Sequence, residues 1–281
     1  MNWDKTLIRC SGIAKIMADS RENPQLTALQ IERILELEGK ENKTIKQSEE
    51  LTTLIKKREN SKNVILSDSC ITYLLEVYAW EKYGKEPINA DKKGRALQKG
   101  KIVEDDSITL LSLVDNRMYI KNVDRVYNEY LSGEPDIPVP NIKNPEKVID
   151  IKSSFDIISF LSVIKKPLFN GYKYQVNGYM NILGVEEGEI AYCLVNAPES
   201  MINEESRRLF YKMDVATEDN LEYKKANQQL IKNMTFEDIP MKSRIYKIPV
   251  DKINMEPIHE RVYHCRRWLK DFEEIHENLN L

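Results

Sequence analysis

Three residues near the middle of this sequence have the types and spacing for metal-assisted phosphoryl chemistry. Asp136 closes the segment Gly133-Glu134-Pro135-Asp136, and Asp150 and Lys152 follow about fourteen positions later in Val148-Ile149-Asp150-Ile151-Lys152. Two carboxylates on adjacent strands offer hard oxygen ligands for Mg²⁺, and the ion would polarise a phosphoryl oxygen and activate water. A lysine beside them can orient that water and offset charge building on a phosphate. The same residues would also suit a β-hairpin with solvated charges at its rim. Pro-Asp is a common turn dipeptide, and 31% of the chain is charged.

Two helical segments carry further candidates. Residues 97–113 read as one helix in which Glu104, Ile108 and Leu111 share a face at i, i+4 and i+7. A carboxylate on a face of core residues is costly unless it is paired or metal-bound; pairing with Lys101 is the alternative. Asp105 and Asp106 would turn towards solvent. Residues 171–183 form the second helix, with Tyr172, Gln175 and Tyr179 on one face. Gln175 could reach a metal-bound water or a phosphate oxygen, or it could be a boundary residue of an ordinary amphipathic helix.

The elements that must position these residues come in a recognisable order. A short helix or turn at 9–20 carries Ile13, Ile16 and Met17 on one face. Asn23-Pro24 suits the start of a helix running to Leu37, ended by Gly39. Residues 40–63 are dense in Lys, Glu, Asn and Thr and read as a solvated helix or arm. Asp68 is the expected cap of a helix ending at Gly84, and a basic linker at 91–95 precedes the Glu104 helix. Strands are expected at 117–121, 125–132 and 147–152, the last two joined by a turn-rich hairpin loop. A strand at 189–196, helices near 199–213 and 217–233, a strand at 243–249 and a helix at 256–278 complete the chain. This order predicts an α+β, or mixed α/β, fold with a central mixed β-sheet flanked by helices. The simplest parse is a single domain over 1–281, with a mostly helical section at 1–90, a catalytic core at 91–200 and a helical section at 201–281.

Composition narrows the function classes. The 281 residues carry a net charge of −3, so nucleic-acid contacts would have to come from local basic patches. Cys10, Cys70, Cys193 and Cys265 are far apart with no CxxC pair, which argues against a zinc or iron–sulfur site and for free thiols in a reducing compartment. The three histidines all fall in the last expected helix, away from the candidate site. The longest apolar run, at 190–195, is too short to span a membrane. The chain therefore reads as a soluble, cytoplasmic protein. The last helix, with Arg261, Arg266, Arg267 and Lys270 ahead of Glu273, Glu274 and Glu277, reads as a charge-segregated surface or subunit-contact helix.

Four segments, in order, resemble the phage recombination exonuclease group of the PD-(D/E)XK nuclease superfamily, the lambda-exonuclease-like or YqaJ-like proteins. They are Ile8 to Ile16, Lys99 to Glu104, the Gly133–Asp136 and Asp150–Lys152 pair, and Gln175 to Met180 followed by Tyr192 to Pro198. The chain carries Asp150 where that family often has Glu, and either carboxylate can ligate a metal. The resemblance implies a restriction-endonuclease-like core and a Mg²⁺-dependent DNA exonuclease that resects duplex ends 5′→3′ in phage-type recombination, with Mn²⁺ able to substitute.

In that reading Asp136, Asp150, the Ile151 carbonyl and Glu104 hold metal. Lys152 positions the nucleophilic water, and Gln175 supports the lysine or the water. Arg9 and Ser11 would contact DNA phosphate near the 5′ end, and Arg95, Lys99, Lys101 and Lys173 would line the DNA path. Lys15, Lys92, Lys93, Lys165 and Lys166 are further basic candidates. Partners implied are double-stranded DNA ends, a single-strand annealing protein and further copies of the chain in a homo-oligomer. A structure- or site-specific endonuclease on the same fold, and a noncatalytic DNA-binding or assembly protein, are the competing readings; fold alone does not decide among them.

Overall fold

Hydrophobic periodicity sorts this chain into helices and short strands, and the computed structural model describes residues 1–19, 28–40, 42–60, 65–86 and 94–279. Asn23-Pro24, Lys92 and Lys93 lie outside the described residues. The contacts divide the chain into two compact units.

The first unit gathers Met1–Ile8, Gly12–Glu86 and Met255–Leu281. Its helices are α1 (Ile13–Ile16), α2 (Ala28–Glu38), α3 (Ile45–Asn60), α4 (Asp68–Tyr83) and, from the far end of the chain, α11 (Glu256–Asn278). Ser67, one residue ahead of the expected cap, starts α4: its hydroxyl accepts from the Cys70 N–H at 3.3 Å. Gly84 ends it at φ 62°, the left-handed conformation that glycine adopts without strain. Most of the described side chains of α3 are exposed, as its composition implies. Helix α11 is not simply a surface helix. Ile258, Val262, Cys265 and Leu269 form a buried stripe along it, and Glu273 accepts from Trp3 Nε1 and Lys82.

The second unit comprises Arg9–Ser11 and Pro87–Asn254 and holds all the candidate catalytic residues. It begins its helical run with α5 (Arg95–Ile102) and α6 (Glu104–Asp115). The single helix expected over 97–113 is broken at Val103, which is buried and has φ −102° and ψ 16°. Glu104 thereby becomes the first residue of α6. The segment expected as a strand at 117–121 pairs with neither sheet. The strand expected at 125–132 is a hairpin of β2 (Val126–Tyr127) and β3 (Leu131–Gly133). The reason is local: Asn128 Oδ1 accepts from both the Tyr130 and Leu131 N–H groups and turns the chain. These two strands and β1 (Ile8–Arg9) make a three-stranded sheet in the order β1-β3-β2.

The main sheet has the order β4-β5-β6-β7, with strands at Ile137–Val139, Lys147–Ser153, Glu187–Cys193 and Ile245–Pro249. β5 runs parallel to β6, and the outer pairs are antiparallel. A parallel neighbour requires a crossover, supplied by α7 (Ile157–Lys165) and α8 (Asn170–Leu183). Helix α7 has no counterpart among the expected elements. Its local signal is a capping box, Asp156 and Ser159 bonding reciprocally ahead of an apolar run. Helices α9 (Glu199–Met213) and α10 (Leu221–Met234) lie between β6 and β7.

The side-chain period of two sorts β5 between its faces. Ile149 and Ile151 join Ile137, Val139, Ala191 and the α6 residues Ile108 and Leu111 in one buried cluster. Asp150 and Lys152 are left on the opposite face. No helix among the described residues is long and apolar enough to cross a membrane.

Candidate active site

Asp136 immediately precedes β4, and the β4–β5 register, Ile137 opposite Ile149, places it opposite Asp150 when extended by one residue. Directly opposed residues of an antiparallel pair project to the same face. The Asp136 carboxylate takes over a ladder position at this point: its Oδ2 accepts from the Ile151 N–H at 2.7 Å. Because the N–H and C=O of one strand residue point to the same edge, the Ile151 carbonyl also faces this side. Asp136 is pinned through its own backbone as well, since its carbonyl accepts from Asn122 N at 2.8 Å.

Asp150 is completely buried. Lys152 Nζ lies 2.7 Å from its Oδ2 as an ion pair, but neither Asp150 oxygen has a partner in hydrogen-bonding geometry among the described residues. Buried carboxylate oxygens without donors are costly. Asp136 registers the same strain: burial first, then the Asp150 charge and more weakly Glu104, push its carboxyl up to about 7, against the opposing influence of Lys152 and the Ile151 N–H. Lys152 is held above its ordinary value. Burial is the largest influence and pulls it down, but the Asp150 and Asp136 carboxylates together outweigh it. Its ammonium also sits 4.7 Å from the centre of the Tyr172 ring.

Helix α8 supplies the other wall. Gln175 Nε2 donates to Tyr179 Oη at 2.8 Å, which leaves its Oε1 as the acceptor for Lys152 or a water. Burial, followed by the Asp150 charge, raises the Tyr179 phenol well above its usual range, with Asp136 and Cys10 adding to the shift. The Tyr179 ring packs so closely on Gly133 that a Cβ there would fall 2.5 Å from Cε1, and 3.1 Å from Cys10 Sγ. This contact accounts for glycine at the head of the Gly133–Asp136 segment, and it holds Arg9–Ser11 in the second unit. Arg9 and Ser11 are both exposed there.

Glu104 is half-buried, with 27% of its side chain exposed, whereas Asp105 is 80% exposed. The Glu104 charge acts weakly on Asp136. Its partner is Lys121, at 3.2 Å, and not Lys101. Sequence reasoning passed over Lys121 and also Tyr172's contact with Lys152; only the fold brings either to the site.

The basic candidates divide. Lys99 is 0% exposed, and its Nζ donates to the carbonyls of Ser154, Phe155 and Val195 at 2.9, 2.9 and 2.7 Å. It cannot line a DNA path, which corrects its assignment. It ties together the chain leaving β5 and β6 and sits 5.3 Å over the Phe236 ring. Arg95 pairs with Glu204 and Glu205. Lys101 is exposed and Lys173 half-buried.

Asp136, Asp150 and the Ile151 carbonyl suit a small hard dication, because Mg²⁺ binds through one or two carboxylates and keeps several waters. A dication there would relieve the crowding of the buried Asp150 carboxylate, paired with Lys152, against the raised Asp136. No cluster of three His, Cys, Asp or Glu side chains with metal-binding geometry occurs among the described residues, so Glu104 would act at longer range, through water. All four cysteines are buried and free.

No family model matches this chain, and no curated protein does. Solved structures do share its fold. A phage-related exonuclease from Haemophilus somnus 129PT superposes with a TM-score of 0.60 at 20% identity, over 96% of each chain. An alkaline exonuclease from Laribacter hongkongensis gives 0.54 at 12% identity, over 99% of this chain and 96% of that one. The same enzyme in complex with dAMP gives 0.53 at 12% identity, over 98% and 93%. The chain thus has the α+β fold of these exonucleases, as its sequence motifs led us to expect.

Proposed function

We propose that this chain is a divalent-metal-dependent deoxyribonuclease that degrades duplex DNA from its ends. The observation that supports this most directly is the buried group of Asp136, Asp150 and Lys152, two carboxylates on one face with an ammonium 2.7 Å from the second. Asp136, Asp150 and the Ile151 carbonyl hold Mg²⁺, or Mn²⁺ in its place, with Glu104 contributing through water. The bound ion supplies a polarised phosphoryl oxygen and an acidified water. Lys152 orients the attacking water and offsets the charge that develops on the phosphate, while Tyr172 and Asp150 fix its ammonium. Gln175 acts through Tyr179, holding the phenol beside the carboxylates. Arg9 and Ser11 take the 5′-phosphate, so that resection runs 5′→3′.

End-labelled linear duplex and covalently closed circles, incubated with Mg²⁺ or with EDTA, test the reading. Linear DNA should be digested with Mg²⁺ only, and Lys152→Ala should slow digestion by about 10²–10³-fold. Arg9→Ala should slow 5′-phosphorylated ends more than 5′-hydroxyl ends. Rapid cutting of closed circles would establish an endonuclease on the same site. No cleavage of either substrate would leave a DNA-binding protein and refute the proposal.

A further inference from the structure

Between α6 and β2 the chain runs outside both sheets. Met118, Ile120 and Val123 are 83%, 70% and 81% exposed, while Tyr119 packs against the Ile149–Ile151 cluster. Lys121, two residues beyond Tyr119, is exposed, with 38% of its side chain accessible. The segment is anchored on both flanks of this lysine. Upstream, Tyr119 N donates to Ser112 Oγ at 3.1 Å and its hydroxyl donates to Asp115 at 2.8 Å. Downstream, Asn122 N donates to the Asp136 carbonyl at 2.8 Å and Asn122 Nδ2 to the Pro135 carbonyl at 3.0 Å. The residue next to Lys121 is thus tied to the backbone of Asp136. Its ammonium lies 3.2 Å from Glu104 and 3.1 Å from Asp105.

Glu104 then has two cationic claimants, the Lys121 ammonium and the divalent ion of the proposed reaction. One carboxylate does not serve both well, because a dication and an ammonium on the same group repel each other. If Glu104 turns to the ion, Lys121 retains only Asp105, and a pair with a carboxylate that exposed is weak. The Lys121 ammonium, next to Glu104, is then available to a phosphate.

We propose that Lys121 is a phosphate-binding residue of this site, passed from Glu104 to a DNA phosphate when Glu104 engages a divalent cation. The inference rests on the nuclease reading given above, and its test separates the two. Binding of a short blunt duplex is measured as a function of salt in Ca²⁺ and in EDTA, for wild type, Lys121→Met and Lys121→Arg. In Ca²⁺, Lys121→Met should lower the salt slope by about one, the change expected for one lost phosphate contact. In EDTA the slope should be unchanged, and Lys121→Arg should behave as wild type in both.

Calorimetry with Mn²⁺ and no DNA gives an independent readout. Lys121→Met should bind Mn²⁺ about two- to fivefold more tightly, the range set by a half-exposed ion pair. The gain should vanish in the Glu104→Gln background. An equal loss of slope in Ca²⁺ and EDTA would make Lys121 an ordinary surface cation and overturn the exchange. Weaker Mn²⁺ binding by Lys121→Met would make it a prop for Glu104 and overturn it as well. A wild-type protein that binds neither Mn²⁺ nor duplex would overturn the nuclease reading together with this one.

Discussion

The Asp136 carboxylate receives the Ile151 N–H at 2.7 Å, so one side chain both completes the β4–β5 ladder and faces Asp150. Its structural and chemical roles can be separated by substitution. Asp136→Asn keeps an oxygen for the Ile151 N–H and removes the charge. It should fold as stably as wild type while binding Mn²⁺ at least about tenfold more weakly and losing cleavage. Asp136→Ala leaves the N–H without an acceptor and should cost a further 1–3 kcal/mol, roughly, in chemical denaturation. Wild-type Mn²⁺ affinity in Asp136→Asn would remove this residue from the metal site.

Metal binding should depend on pH through the same carboxyl. Asp136 is pushed up to about 7, chiefly by burial and then by Asp150, so the proton competes with metal across the neutral range. Mn²⁺ affinity should rise by about tenfold per pH unit below that value and level off above it. Stability without added metal should show the opposite trend. Between the ordinary carboxylate range and about 7 the native state binds a proton that the unfolded state does not, so stability falls as pH rises. Asp136→Asn should remove the Asp136 contribution to both dependences, read as the difference from wild type; titrations by calorimetry and denaturant melts measure it.

Glu104 should matter and its acidic neighbours should not. Glu104→Gln is expected to reduce cleavage by about tenfold or more, whereas Asp105→Asn and Asp106→Asn should change it less than about twofold, since both are exposed. Single-turnover rates on linear duplex decide the order, and loss in the neighbours with full activity in Glu104→Gln would contradict the placement of α6.

Lys99 is expected to act on stability. Lys99→Met leaves the Ser154, Phe155 and Val195 carbonyls without their donor and should cost about 1–3 kcal/mol, part of the penalty being offset by removing a buried charge. Burial lowers Lys99 to about 8 from 10.5. Between those values the unfolded chain holds a proton that the native state has released, so wild-type stability rises with pH relative to the variant. Denaturant midpoints of the two proteins, compared across that window, should move apart as pH increases.

Local patterns carried the parts of this protein that depend on neighbours in sequence. The apolar run around Asp150 and Lys152 marked β5, glycines marked the ends of α2 and α4, and the face shared by Tyr172, Gln175 and Tyr179 was readable from helical spacing. Glu104 was singled out over Asp105 and Asp106 and is the least exposed of the three, although the helix used to argue it is broken at Val103. The capping box of Asp156 and Ser159 was present in the sequence and would have revealed α7.

Tertiary structure alone decided which charges are buried and which chain segments meet. Lys99 reads as one more surface lysine until the ends of β5 and β6 close around it with three carbonyls. Lys121 lies in an unpaired segment with no motif, and reaches Glu104 only because Asn122 is bonded to the Asp136 and Pro135 carbonyls. Cys10 approaches Gly133 across more than a hundred residues of chain. Residue types and periods of 2 and 3.6 set strands, helices and their faces because those depend on backbone geometry within a few residues. Desolvation and ion pairing depend on packing between segments remote in sequence, so the electrostatics of this site exist only in the folded chain.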